Sequence, residues 1–405
     1  MSNVWFRSGI FLPPHHSNEE DPTLCIQRDF QLVEWLDRLG YEEAWIGEHH
    51  SGGFETISSP EVFIAAAAER TKRIRLGTGV VSLPYHNPLT VAGRIIQLDH
   101  QTMGRVMFGV GPGALYLDAK MMGIDTDTSR GRLAESLEVI MALFRGETVT
   151  KKTDWFTLNE AALAIKPFTH PSPEVVIAST QTPSGARLAG KFGAGLICIA
   201  AAEVGGYDAL AENWKIANEI AAENNQVVER KNLRLVAPMH LAETREQARA
   251  NCRFGLEKWL EFGFLTNPGR VGAAEAKSMD PVDLAIKARG ATIGTPDDAI
   301  ALIKRLQAKQ GDFGCLLHFG HNWADWEQTK RSYELYARYV VPHIRQSNMP
   351  RAASLDRYRS MGDEIRKARG SAVANTFTRF NAEREAQGKA KIKAPETSVS
   401  QNAPT

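Results

Sequence analysis

IRLGTGVVSLPYHNPLTVAGRIIQLDHQTMGRVMFGVG, residues 74–111, decides the fold. Its first eight residues form an apolar, β-branched run, IRLGTGVV (74–81). After a short break, Pro88 opens a helical segment, PLTVAGRIIQLDHQT (88–102), where a missing N–H costs little. A second apolar run, VMFGVG (106–111), follows at once. Strand, helix, strand in so short a span is a parallel crossover unit, and neither strand alternates strictly, as expected when both faces are covered.

The same rhythm extends in both directions. Further strands are expected at SGIFL (8–12), EAWIG (43–47), EVVIAS (174–179), GLICIA (195–200), LRLVAPM (233–239) and GCLLHF (314–319), making eight in all. Helices are expected at 23–40, with Gly40 as a C-cap, and at 59–71, 128–144, 184–193, 295–307 and 323–344. Eight strands alternating with helices predict a (β/α)8 TIM barrel, with a doubly wound open sheet as the alternative. Two insertions interrupt it. Residues 146–173, after strand four, read as a small hairpin; residues 240–294, after strand seven, read as a lid. The barrel domain is expected over 1–345. Residues 346–405 form a C-terminal extension, helical over 354–388 and then disordered.

Composition agrees with a folded, water-soluble chain: 405 residues, 43% hydrophobic, 23% charged. The net charge of +1 gives no nucleic-acid footprint. No apolar stretch of about 18 residues occurs, so no membrane span is expected. The N-terminus does not read as a signal peptide, and the expected location is cytoplasmic. Cys25, Cys198, Cys252 and Cys315 are far apart, include no CxxC pair, and read as buried free thiols.

A barrel carries its active site where the strands end. Histidine gathers at those positions: of 11 in the chain, His15, His16, His49, His50, His86, His240 and His321 all follow a strand in this reading. Glu48, Tyr85, Asn322 and Trp323 accompany them. A metal site built from Glu48, His49, His50, His15 and His321 is disfavoured, because adjacent loop histidines point apart and no HxH lies on a strand. GVGPGA (109–114) reads as a tight turn rather than a dinucleotide loop. STQTPSGARLAGKFG (179–193) places Thr180, Thr182 and Ser184 before Gly185 at a helix start. That is a phosphate cradle, or simple N-capping by Ser184. Arg130 and Arg132 open another helix, against its dipole. They serve a ligand phosphate, or a surface ion pair with Glu135 or a nearby aspartate.

GYEEAWIGEHH (40–50), RLGTGVVSLPYHNP (75–88), LDHQTMGRVMFGVGPGA (98–114) and TPSGARLAGKFG (182–193), in this order and spacing, resemble the bacterial-luciferase-like flavin monooxygenases over about residues 1–345. SGGFETISSPEVFIAAAAER (51–70) and HNWADWEQTKRSYELYARYVVPH (321–343) look closest to the limonene-monooxygenase-type subgroup. The resemblance implies an FMNH2-dependent monooxygenase. It would insert one atom of O2 into a small hydrophobic substrate, terpene-like or a cyclic ketone, through a flavin C4a-(hydro)peroxide. Reduced FMN would come from a separate NAD(P)H:flavin reductase, and a homodimer is implied. By the same resemblance, Thr182, Ser184, Gly185 and Ala186 hold the phosphate with help from Arg130. His49 is the catalytic histidine, with Glu48 orienting a neighbour. Gly79 and Val80 match a pair joined by a cis peptide beneath the flavin. His16, Tyr85, His86, His321 and Trp323 line the substrate pocket. Where luciferases of the family have an arginine on the phosphate, this chain has Pro112, so another loop must supply that contact. The alternatives are a deazaflavin-dependent hydride-transfer enzyme on the same fold, and a non-catalytic flavin-binding protein.

Overall fold

The computed structural model describes residues 5–266 and 278–394. The chain divides into two compact units, Met1–Arg345 and Gln346–Thr405. In the first, eight parallel strands close on themselves: β1 (Arg7–Leu12), β2 (Glu43–Ile46), β3 (Arg75–Thr78), β4 (Val106–Gly111), β5 (Glu174–Ser179), β6 (Gly195–Cys198), β7 (Leu233–Leu241) and β8 (Cys315–Phe319). Leu233 of β7 pairs with Leu196 of β6, and Arg7 of β1 pairs with Cys315 of β8. With those two ladders made, the ring of eight strands is closed, which rules out the open doubly wound alternative.

Outside the barrel run α1 (Pro22–Leu39), α2 (Pro60–Arg70), α3 (Pro88–Gln101), α4 (Ser129–Phe144), α5 (Ser184–Phe192), α6 (Val204–Glu223), α7 (Pro296–Gln310) and α8 (Trp326–Leu335). Local chemistry sets their ends. Asp21 caps α1 by accepting from Leu24 N–H, Asn87 caps α3 through Leu89 N–H, and Pro22 and Pro88 take first-turn positions. Gly40 stops α1 in the left-handed region at φ 85°. The large core lies between these helices and the outer strand faces.

Inside the barrel, side chains stack in layers. The lowest is ionic: Arg234 Nε lies 2.7 Å from Glu43 Oε2, and its Nη2 lies 2.8 Å from Glu174 Oε1. Arg7 and Arg75 complete the set at 2.8 Å from Glu43 and Glu174. Above it Trp45, Met107, Val176, Ile197, Val236 and Leu317 fill the bore, and Phe11 and Phe319 lie nearest the strand ends. Trp45 fits only because its neighbours lack side chains: a Cβ on Gly77 would meet its ring at 2.4 Å.

Two expectations need correction, and one element went unpredicted. His240 lies within β7 rather than after it, because the strand runs on to Leu241. The long final helix is broken: α8 passes into a π-helical turn, Tyr336–Val340, before resuming at Val341–Arg345. Helix α6, 20 residues long, was not foreseen. The hairpin after β4 is present, with Val149–Lys152 antiparallel to Thr157–Ala161. The insertion after β7 builds helices Arg245–Cys252, Leu256–Thr266 and Pro281–Arg289 and a short strand, Thr292–Gly294, that pairs with β7; its residues 267–277 lie outside the described residues. In the second unit, helices Met349–Ser360 and Gly362–Ala386 stand where a helix over 354–388 was expected; residues 395–405, where disorder was expected, lie outside the described residues.

Candidate active site

The loop leaving β2 is fastened to its surroundings by backbone bonds: Gly47 N–H to Leu12 O, His49 N–H to Ile57 O, and His16 N–H to Phe54 O. This fixes Glu48, His49 and His50 at the barrel mouth. Glu48 is buried, and its Oε2 accepts from Ser82 N–H at 2.7 Å. Its Oε1 accepts from His50 Nε2 at 2.9 Å and from His86 Nε2 at 2.7 Å. Because a carboxylate only accepts, both imidazoles must carry their proton on Nε2. Burial works against the Glu48 charge, but the bonds to His50 and His86 outweigh it and hold the carboxyl below its ordinary range. The Glu48 bond likewise raises His50.

His49 sits between two carboxylates. Its Nε2 is 3.2 Å from Glu55 Oε2, and its Nδ1 is 3.5 Å from Asp118 Oδ2. Burial disfavours its charged form, yet Glu55, Asp118 and Glu48 together raise its pKa. Asp118 comes from a short helix after β4, Tyr116–Met121, and also accepts from His50 N–H and the Ser51 hydroxyl. Tyr85 closes this side. Its ring sits against Gly113, whose φ of 86° and missing Cβ allow the approach, and burial pushes its phenol up to about 12.

A second cluster at the mouth is aromatic, and the Arg289 guanidinium lies 4.8 Å over the Trp259 ring. His321 Nε2 donates to Met239 O at 3.0 Å, its Nδ1 accepts from Trp323 N–H at 3.3 Å, and its ring stacks on Trp323 at 3.8 Å. Burial drives its pKa down to about 3, and that of His15 down to about 4. From the insertion, helix Leu256–Thr266 sets Trp259 against Trp323 and Phe319, and Phe262 against His15 and Phe54. This helix roofs the mouth where the sequence suggested a lid.

A third region lies at the end of β5. Thr182 Oγ1 and Ser184 Oγ are 3.0 Å apart. Ser184 is the first residue of α5 and makes no capping bond, so simple N-capping does not account for it. Gly185 packs on β5 so tightly that a Cβ would lie 2.6 Å from Ala178 O, and Ala186 is fully buried. The Ser179 hydroxyl beside Gly185 is buried without a hydrogen-bond partner. The first N–H groups of α5 have no acceptor within their own helix. The peptide between Gly79 and Val80 is cis. Val80 leans over Gly111, where a Cβ would meet its Cγ2 at 2.7 Å.

The family model for luciferase-like monooxygenases matches residues 6–312. The chain belongs to the luciferase-like monooxygenase family. It is 45% identical to limonene 1,2-monooxygenase of Rhodococcus erythropolis over 376 residues, covering 93% of this chain and 96% of that protein. It is 44% identical to 4-hydroxyprotoasukamycin monooxygenase of Streptomyces nodosus subsp. asukaensis, covering 83% and 91%. Among solved structures, it superposes with a TM-score of 0.68 on the oxygenating constituent of 3,6-diketocamphane monooxygenase from Pseudomonas putida, determined with FMN. That pair is 25% identical, covering 83% of this chain and 98% of the other.

Within this luciferase-like mouth, the residues singled out in the sequence have different fates. His49, Tyr85 and His86 gather with Glu48 and His50 among the carboxylates, and His321 and Trp323 meet in the aromatic cluster. His16 does not join either group. Its Nε2 donates to both Asp29 oxygens and its Nδ1 accepts from Arg28, so both ring nitrogens are committed to α1. His240 accepts from Asn251 and is buried behind the strand end. Arg132 lies over Trp155 and 3.7 Å from Asp154, which is the surface ion pair foreseen for this helix start; Glu135 instead accepts from Trp155 Nε1. Arg130 is exposed and has no hydrogen bond or ion pair among the described residues. Sequence reasoning missed Glu55, Asp118, Trp259 and Phe262. Asp118 lies seven residues after β4, within reach of a strand-end search; nothing local marks the other three. Among the described residues no group of His, Cys, Asp or Glu is arranged to hold a metal.

Proposed function

We propose that the protein is an FMNH2-dependent monooxygenase that transfers one atom of O2 to a small apolar substrate, terpene-like or a cyclic ketone. The observation that carries the reading is the pair of clusters at the mouth: His49 and His50 among the carboxylates Glu48, Glu55 and Asp118, and beside them His15 and His321, whose pKa values burial lowers, among Phe54, Trp259, Phe262 and Trp323. An uncharged organic molecule suits the aromatic cluster, and proton handling suits the other.

The residues present fit FMN. The uncapped start of α5, the Thr182 and Ser184 hydroxyls and the orphaned Ser179 hydroxyl offer donors to a phosphate. Arg130, uncommitted to any described partner, opens a helix on the same strand-end face and would assist. Gly79 and Val80 would lie under the flavin ring. When bound, reduced FMN supplies the electrons that activate O2, so that one oxygen atom goes to the substrate and the other leaves as water. His49 is placed to hold a proton for the departing oxygen, and Glu48 orients His50 and His86 beside it. The aromatic roof excludes water. A separate NAD(P)H:flavin reductase would supply FMNH2, since no dinucleotide fingerprint occurs in the sequence. The catalytic unit is then residues 1–345.

The test uses purified protein, anaerobically reduced FMN, 18O2 and limonene or a bicyclic ketone. One 18O atom in the product, at a rate abolished by His49→Ala, is the expected result. Failure to bind reduced FMN while binding reduced deazaflavin would replace this reading with hydride transfer. Flavin binding with no product from any apolar substrate would leave a flavin-binding protein.

A further inference from the structure

Glu55 is the most unusual acid in the chain's mouth. It lies in the loop after β2, held by an isolated bridge to His15, and its side chain is 7% exposed. Its Oε2 is buried with no hydrogen-bonded partner. The cationic group facing that oxygen is His49, 3.2 Å away. Asp118, on the other side of the ring, is differently placed, because His50 N–H and Ser51 also serve it. Removing His49 leaves Asp118 with partners and, among the described residues, the Glu55 side chain with none.

The geometry points to Glu55 as a positioning residue for His49, one that fixes the orientation of the ring and keeps both its nitrogens protonated. A neutral imidazole has one N–H and one lone pair. With a carboxylate facing each nitrogen, the lone pair of a neutral ring would confront an anion on one side or the other. With both acids ionised, only the doubly protonated ring suits both. The dependence is mutual: burial holds the Glu55 pKa above its ordinary value and His49 draws it only part of the way back, while the Glu55 charge is the first of the influences that raise His49, ahead of the Asp118 hydrogen bond and the Asp118 charge taken separately. The other groups facing the pair are Glu48, which favours the imidazolium, and His50, itself bonded to Glu48. Tyr85 remains neutral over the ordinary pH range. The result is a histidine that keeps its proton above the pH at which a free one would lose it, in a position that would otherwise strip it. This deepens the monooxygenase reading of the same site and rests on it for its role, but its test needs no flavin.

The experiment is a histidine titration by two-bond 1H–15N NMR on the full chain without cofactor, with His49 assigned from its loss in His49→Asn. Glu55→Gln should lower the His49 pKa by about one unit or more, a tenfold loss in proton affinity. Glu55→Asp should retain most of the elevation. An unchanged His49 titration in Glu55→Gln overturns the proposal. Should Glu55→Gln fail to fold by circular dichroism, the converse applies: the 13C carboxyl titration of Glu55 in His49→Gln should move up by a similar amount, and an unmoved value overturns it. Reduced-FMN binding, measured separately, distinguishes the two readings. A normal Glu55–His49 coupling without flavin binding supports the pairing and sinks the monooxygenase.

Discussion

At Glu48, one carboxylate oxygen serves two imidazoles and the other a backbone N–H, so a single residue ties the loops after β2 and β3 together. Its chemistry sets a pH window. The Glu48 pKa is depressed, so its contribution to stability is present above the ordinary value of 4.5 and is lost as the pH falls below it. The His50 pKa is raised, so its contribution is full below 6.5 and is lost as the pH climbs through the folded value. The two overlap between 4.5 and 6.5. Glu48→Gln should therefore cost about 1–3 kcal/mol there, as expected when a buried group loses its charged partner. Urea midpoints at pH 5.5 and pH 8 should show a larger loss at the lower pH. An equal loss at both would mean that His50 takes no part. The histidines across the mouth behave oppositely: His321, neutral with its proton on Nε2, should show no titration above about 3.

At the scale of elements, the start of α5 and the roof helix Leu256–Thr266 carry the argument. Ser184→Asp would place a carboxylate at an uncapped helix N-terminus, which stabilises a helix by about 0.3–1 kcal/mol. The same charge would repel a phosphate. We expect the melting temperature of the cofactor-free protein to hold or rise while affinity for reduced FMN falls more than tenfold; unchanged affinity would place the phosphate elsewhere. In the roof, Trp259→Ala removes the contact with both Trp323 and Phe319, and a buried Trp-to-Ala change costs about 3–5 kcal/mol. It should raise KM for an apolar substrate more than it lowers kcat, and steady-state kinetics would separate the two. Elements with strong local signals were legible: β4 and β5 begin and end where the apolar runs do, and Pro88 and Gly40 mark helix ends. Helix α6 was not, because Gly205 and Gly206 obscure its start; a Cβ on Gly206 would collide with Ala200 O, so packing there overrides helix propensity.

Across the whole barrel, the ionic layer around Arg234 links β1, β2, β3, β5 and β7 at their N-terminal ends. Glu43 is held down to about 2: burial opposes its charge, and Arg234 and Arg7 more than compensate. Because this pKa is depressed, the stabilisation is present above 4.5 and is lost as the pH falls towards about 2. Arg234→Ala leaves the buried Glu43 with Arg7 as its ion-pair partner and Trp45 Nε1 as a neutral donor, and should cost about 3–5 kcal/mol in denaturant unfolding at neutral pH. The penalty should shrink in acid as Glu43 takes up a proton. A cost below about 1 kcal/mol would show that the layer is dispensable to closure.

The sequence by itself determined the eight-strand rhythm, the helix starts and stops, and the gathering of histidine after the strands, because apolar runs, Pro, Gly and Asn act over a few residues. It also carried the motifs that mark the family. The tertiary structure decided which histidines work together. His16 and His86 look alike in sequence, each beside a strand end, yet one is committed to Asp29 and Arg28 on α1 and the other shares the Glu48 carboxylate with His50. Trp259 entered the mouth without warning, since Trp323 and Phe319 meet it only when the insertion folds over the barrel, and Glu55 meets His49 only through the fold of the loop after β2. The pKa of an imidazole depends on the burial and the carboxylates around it, and even where those carboxylates are near in sequence, as Glu48 and Glu55 are to His49 and His50, it is the fold that sets their distances and their burial.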